Sequence, residues 1–131
     1  MAKDSKNPED WLLKAKEDLK VAEILAEKSN FGYHIGFFSQ QTAEKALKGY
    51  LLTKGSPYPK THDLTLLLKL CLKHDKSFNL LLPNCLVLNP FYVEERYPFG
   101  PPIKFTKEKV EQILKAAKEI LKLITAKIKL G

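Results

Sequence analysis

The chain has 131 residues, 44% of them hydrophobic, and a formal charge of +7 that comes almost wholly from lysine. That length is a single domain, here residues 1–131, with enough apolar content for one core that needs no staples. No apolar run approaches the ~20 residues that span a bilayer, and the polar start MAKDSKNPEDW carries no export signal, so a cytoplasmic protein is expected.

The first helix is well signposted. Asn7 can cap it, Pro8 takes the first helical position, and Glu9 and Asp10 complement the positive helix end. Trp11, Leu12, Ala15, Leu19, Ala22 and Ala26 then form an apolar stripe. Ser29 to Gly32 breaks the pattern, and a second helix runs from about Tyr33 to Lys54, with Gly55 placed to close it. At 100° per residue, His34, Phe37, Gln41, Glu44, Lys45 and Lys48 share one arc of this helix, while Ile35, Ala43, Ala46 and Tyr50 lie opposite. A polar set this crowded, bounded by large apolar residues, predicts a central helix with part of its polar face turned toward a cleft.

Ser56 to Asp63 reads as a proline-stiffened loop, after which Thr61 can cap a short third helix bearing Leu64, Leu67, Leu68 and Cys71. Phe78 to Leu88 is a fourth apolar segment, helical with a bend at Pro83. Asn89 to Phe105 holds four prolines and a glycine, which excludes a long helix. Thr106 caps a last helix with Val110, Ile113, Leu114, Ala117, Ile120, Leu121, Ile124 and Ile128 inside. Lys115, Lys118, Lys122, Lys129 and Glu111 form its solvated face. No strand-like alternation occurs, so the fold class is all-α, an up-and-down bundle of four to five helices.

Several residues are candidates for chemistry. Arg96, the sole arginine, sits between Tyr92 and Tyr97; a guanidinium grips phosphate in a planar, bidentate way and tyrosines offer stacking faces. It could equally pin the loop by pairing with Glu44 or Asp18. Gln41, Glu44, Lys45 and Lys48 can read a nucleotide or phosphate, or form an internal network in which Glu44 and Lys48 are an i,i+4 pair. His62 and Asp63 lie by a helix N-terminus, where backbone N–H groups can hold an anion, although Asp63 more simply caps it. Phe91, Phe99 and Phe105 suit loop anchors or dimer contacts. Cys71 and His74 lack a second ligand pair, so no metal site is expected, and Cys71 and Cys85 read as buried free thiols. No glycine-rich phosphate loop is present, and no cofactor is expected.

In order and spacing, these segments resemble the HEPN domain family from Pro8 to Ile128. The resemblance rests on the Trp11 to Ala22 helix and on Gln40-Gln41-x-x-Glu44-Lys45-x-x-Lys48. Lys60-Thr61-His62-Asp63-Leu64 and the Tyr92…Glu95-Arg96-Tyr97-Pro98 loop complete it. It implies a helical bundle that commonly pairs into homodimers. It also implies a place beside small nucleotidyltransferase proteins in toxin–antitoxin systems, with RNA cleavage in some members and nucleotide binding or an accessory role in others. The cleaving branch carries an arginine followed four to six residues later by a histidine. The arginine neutralises the scissile phosphate while the histidine handles a proton. No histidine follows Arg96 here.

The expected function is therefore binding of a nucleotide or RNA phosphate between the second helix and the Arg96 loop, with no catalytic residue. One alternative is a ribonuclease toxin in which His62 joins Arg96; another is a homodimeric scaffold.

Overall fold

The computed structural model describes residues 5–92 and 104–130. Five α-helices are present among them: α1 (Pro8–Lys28), α2 (Gly32–Thr53), α3 (Leu64–Leu72), α4 (Leu82–Leu88) and α5 (Lys107–Leu130), and no strand. Two 3₁₀ turns, Lys76–Leu81 and Asn89–Tyr92, flank α4. None of these helices is long and apolar enough to cross a membrane.

Local chemistry sets most of the boundaries. The Asn7 side chain accepts the Glu9 N–H, and Pro8 occupies the first turn, where its missing N–H costs nothing. The end of α2 is a Schellman closure: Ser56 N–H reaches Leu51 O, Gly55 N–H reaches Leu52 O, and Gly55 adopts a left-handed φ of 63°. Thr106 caps α5, its hydroxyl accepting from Lys109 N–H. Of the two caps expected for α3, Asp63 is the one found and Thr61 is corrected: the Asp63 carboxylate accepts from Thr65 N–H and Oγ1, while Thr61 Oγ1 accepts from Asp63 N–H. Pro83 falls in the first turn of α4, so the bend is a change from 3₁₀ to α geometry rather than a break within a helix.

α2 packs against α1, α3, α4 and α5 and is the axis of the bundle. α1 lies antiparallel to it, with Asp18 meeting Lys45 and Trp11 meeting Lys48. The loop after Gly55 returns along α2, so that His62 O meets Gln40. α3 then runs back along α2 until Cys71 reaches Leu47. α4 carries the chain from Phe78, packed on Tyr50, to Phe91, packed on Gly36. α5 follows the direction of α2, from Phe105 over Gly32 to Lys127 beside Phe78. The core gathers Ile35, Leu47, Leu51, Leu68, Phe78 and Ile120. Lys115, Lys118, Lys122, Lys129 and Glu111 lie exposed on α5, as their spacing requires.

Two glycines of α2 make room for aromatic anchors. A Cβ on Gly32 would collide with the Phe105 ring, and one on Gly36 would lie 2.5 Å from the Phe91 ring. Phe91 and Phe105 bracket the segment 93–103, so both flanks of that segment are fastened to the same helix. Phe99 lies outside the described residues.

Cys71 and Cys85 are buried free thiols. Burial pushes both thiols up to about 12, so neither offers a thiolate as nucleophile or ligand.

At the far end of α5, Lys127 donates to Asp75 and Ser77. The Lys127 ammonium and Ser77 hold the Asp75 carboxyl well below the usual carboxylate range. A depressed folded value means that the pair stabilises above the unfolded carboxylate range and is lost as pH falls. Replacing Lys127 with methionine should therefore flatten the loss of stability between roughly pH 4 and 2. Urea unfolding of both proteins across that window checks it.

Candidate functional site

From Gln41 to Lys48 the polar arc of α2 faces protein rather than an open cleft, while His34 is exposed. Trp11 from α1 and Tyr58 from the return loop meet edge to face, 5.6 Å between centroids, and cover the helix at Lys48. The Lys48 ammonium lies 5.9 Å from the Trp11 ring and 5.4 Å from the Tyr58 ring, a cation–π arrangement on both. It donates to Glu44 Oε2 at 3.0 Å. Glu44 and Lys48 are only 4% and 7% exposed, so this i,i+4 pair is a buried one.

Glu44 also gathers three further donors on Oε1. His62 Nδ1 lies at 2.8 Å, with the Gln40 and Gln41 amides each at 3.3 Å. Gln40 is fully buried and ties the helix to the loop through His62 O at 2.8 Å. Gln41 Nε2 donates to Gln40 Oε1 at 2.8 Å. Among the described residues, only the Ser39 hydroxyl is a buried side-chain polar atom without a partner. The network around Glu44 is thus satisfied, as a polar group in low dielectric must be.

At its outer edge the network reaches solvent through His62, whose side chain is 54% exposed. The Tyr92 ring stacks along the imidazole, 6.2 Å between centroids at 17°. Asn89, three residues earlier, accepts from Leu64 N–H and donates to Asp63, fixing this corner against the start of α3. Hydrogen bonds from Thr65 and Asn89 lower the Asp63 pKa, as befits a capping carboxylate.

The seven predicted binding residues divide accordingly. Gln41, Glu44, Lys48 and His62 come together in one network. Lys45 lies beside it but its charge is matched by Asp18 of α1. Arg96 and Tyr97 lie outside the described residues; the segment that carries them begins next to Tyr92. Sequence reasoning did not name Trp11, Tyr58 or Gln40 as site residues, and it gave Tyr92 only as a stacking face beside Arg96. Gln40 was findable, since a glutamine one position from Gln41 on a helix with so few solvated positions needs partners. Trp11 and Tyr58 enter from segments distant in the chain. His34 and His74 are exposed and take no part. A separate recess of about 330 Å³ lies between the α1–α2 turn and α5, with Ile35, Phe105 and Val110 in its wall and none of the predicted residues. No cluster of three or more metal-ligating side chains occurs among the described residues.

The fold and site together define an all-α protein whose axial helix organises a buried carboxylate–lysine–histidine network at the base of a loop. The chain belongs to the HEPN domain family, whose model matches residues 8–128. It is 30% identical to a candidate toxin, MJ1304 of Methanocaldococcus jannaschii, over 87% of this chain and 83% of that protein. Its fold is similar to the crystal structure of ST0689, an archaeal HEPN homologue, with a TM-score of 0.77 and 26% identity over 95% of this chain and 99% of the other. TT1696 from Thermus thermophilus gives 0.75 and 26% over 94% and 99%.

Proposed function

We propose that this HEPN protein binds a nucleotide or RNA phosphate at the His62–Tyr92 edge, as the accessory member of a nucleotidyltransferase-linked, toxin–antitoxin-like pair. The observation that carries the reading is the held, half-exposed imidazole of His62. Glu44 holds one ring nitrogen, Tyr92 stacks along the ring, and the side chain is about half exposed. Phosphate charge would be met by Arg96, with Tyr97 beside it, because the lysines of α2 are already matched by Glu44 and Asp18. Lys48, Glu44, Gln40 and Gln41 position His62 in this reading and do not touch the ligand. Lys45 is matched by Asp18, so long-range attraction of an anion comes from the +7 charge of the whole chain. A homodimer, and a small nucleotidyltransferase as the partner protein, belong to the same proposal, with family membership as their support.

The test is binding of a fluorescent ribooligonucleotide over a salt series. Affinity should fall as salt rises, because cationic side chains displace condensed counterions. His62→Ala and Arg96→Ala should each weaken binding about ten-fold, the scale of one charge-assisted contact. Wild-type affinity in both variants, or no affinity at low salt, contradicts the reading.

One observation favours a second reading, RNA cleavage. A carboxylate on Nδ1 of a half-exposed imidazole is an arrangement that suits a general acid–base histidine. Total RNA incubated with the protein separates the two. Scission that disappears in both His62→Ala and Arg96→Ala makes the protein a ribonuclease; intact RNA leaves binding.

A further inference from the structure

We infer that the outward side of α3 and α4 is a docking surface for an acidic amphipathic helix of another protein. The apolar strip of that helix sits on exposed leucines, and its carboxylates meet a lysine rim. No residue of the nucleotide-binding reading above takes part.

The chain is 28% charged, yet Ser77 to Tyr92 carries no charged residue. Such a segment belongs inside, and Phe78, Leu81, Cys85 and Leu88 do go there. Its other leucines do not: Leu80 is 72% exposed, Leu86 is 58% exposed, and Leu82 also meets solvent. Leu82, Leu86 and Asn89 recur at i, i+4 and i+7 and so share one side of α4. That side meets α3, because Asn89 bonds the Leu64 N–H and the Asp63 carboxylate. α3 adds Leu66, exposed opposite the buried Leu64, Leu68 and Cys71. Single exposed leucines are ordinary, but four on adjoining elements, in a stretch where α4 offers no charge, mark an interaction surface.

The charges around the leucines choose the partner. Leu66, Lys69 and Lys73 follow at i, i+3 and i+7 along α3, and Lys76 opens the turn that leads to Leu80. All three lysines are exposed, and none forms an ion pair among the described residues. Asp75, between Lys73 and Lys76 in the chain, is already taken by Lys127. On the far side of α4, Asn84 bonds Glu119, which lies with Lys115. An apolar centre with a cationic α3 edge is complemented by a helix with apolar anchors at i, i+3 and i+4 and carboxylates along its flank. A second copy of this chain does not supply one. Two of these faces brought together offer the lysines no unpaired carboxylate. α1, which also exposes apolar residues, pairs its Glu17 and Glu27 with its own Lys14 and Lys28.

The test uses the full chain and two labelled peptides of about 18 residues, long enough to hold a helix on a surface. They share one leucine face and differ only in glutamate or lysine along the flanks. Fluorescence anisotropy at low salt should show the glutamate peptide binding about ten-fold more tightly, the scale of a few exposed ion pairs. Leu80→Ser combined with Leu86→Ser should weaken that binding by about ten-fold while helical circular dichroism persists, since both side chains already lie in solvent. Lys69→Glu, Lys73→Glu and Lys76→Glu together should reverse the preference. Equal affinity for the two peptides, no affinity for either, or unchanged binding in the leucine variant overturns the inference. A wild-type oligomer in sedimentation that dissociates in the leucine variant also overturns it and assigns the face to a second copy. Ribooligonucleotide binding that is lost in the lysine variant overturns it too and assigns the rim to nucleic acid.

Discussion

Replacing Lys48 with alanine should destabilise the fold by about 3–5 kcal/mol, because it leaves the Glu44 carboxylate buried without its counter-charge. Both groups are less than a tenth exposed, and Glu44 would keep only its contacts with Gln40, Gln41 and His62. For a domain of this size the loss corresponds to a drop in Tm of roughly 10–20 °C. An exposed pair supplies the contrast: Lys118 and Glu23 stand 3.4 Å apart with Lys118 about half in solvent, and Lys118→Ala should change stability by less than about 0.5 kcal/mol. Replacing Glu44 and Lys48 together by methionine should recover most of the loss, since a buried pair contributes less than half a pair costs. Thermal and urea unfolding of the four proteins decides it. A Lys48→Ala chain as stable as wild type would mean that water reaches Glu44 and that the network is not a buried one.

The second large effect concerns the clamp on segment 93–103. Phe91 is 3% exposed, its ring lying where a Gly36 side chain would be. Phe91→Ala should cost about 3–5 kcal/mol through lost burial and the cavity it leaves. Gly36→Ala should also destabilise: a Cβ 2.5 Å from that ring forces overpacking that costs about 1–3 kcal/mol, only partly offset by the better helix propensity of alanine. The two changes act on the same space with opposite sign. The double variant should therefore be more stable than Phe91→Ala alone, because the new methyl enters the vacated volume. Simple additivity in urea unfolding would show that Phe91 does not rest on Gly36. Since Phe91 precedes Tyr92, loosening the clamp should also weaken nucleotide binding even where the fold persists.

Much of the fold was legible because its signals are local. Asn7 with Pro8, Gly55 with its left-handed turn, and Thr106 each mark an end within four residues of the helix they terminate. For α3 the sequence offered both Thr61 and Asp63 as caps; Asp63 takes the role through Thr65, and its further bond from Asn89, 26 positions away, was not legible. The polar arc of α2 was equally legible from helical period. Its burial was not, since that depends on Trp11 and Tyr58, which no pattern within α2 reveals. For the same reason the sequence left Lys48 open between a phosphate ligand and the i,i+4 partner of Glu44, and in space it is the counter-charge of Glu44. His62 was placed by its neighbourhood to a helix start, whereas its tie to Glu44 is a contact across 18 positions. Arg96 and Tyr97 are the part of the candidate site that lies outside the described residues, and their role rests on the binding experiment.

The most direct measurement is to map amide and ring chemical-shift changes as a short ribooligonucleotide is titrated into the protein. The account predicts that the changes centre on His62 and Tyr92, extend through Glu44 and Gln41, and leave the exposed lysine face of α5 unmoved. Changes centred on that lysine face, or on the recess beside Phe105 and Val110, would contradict it.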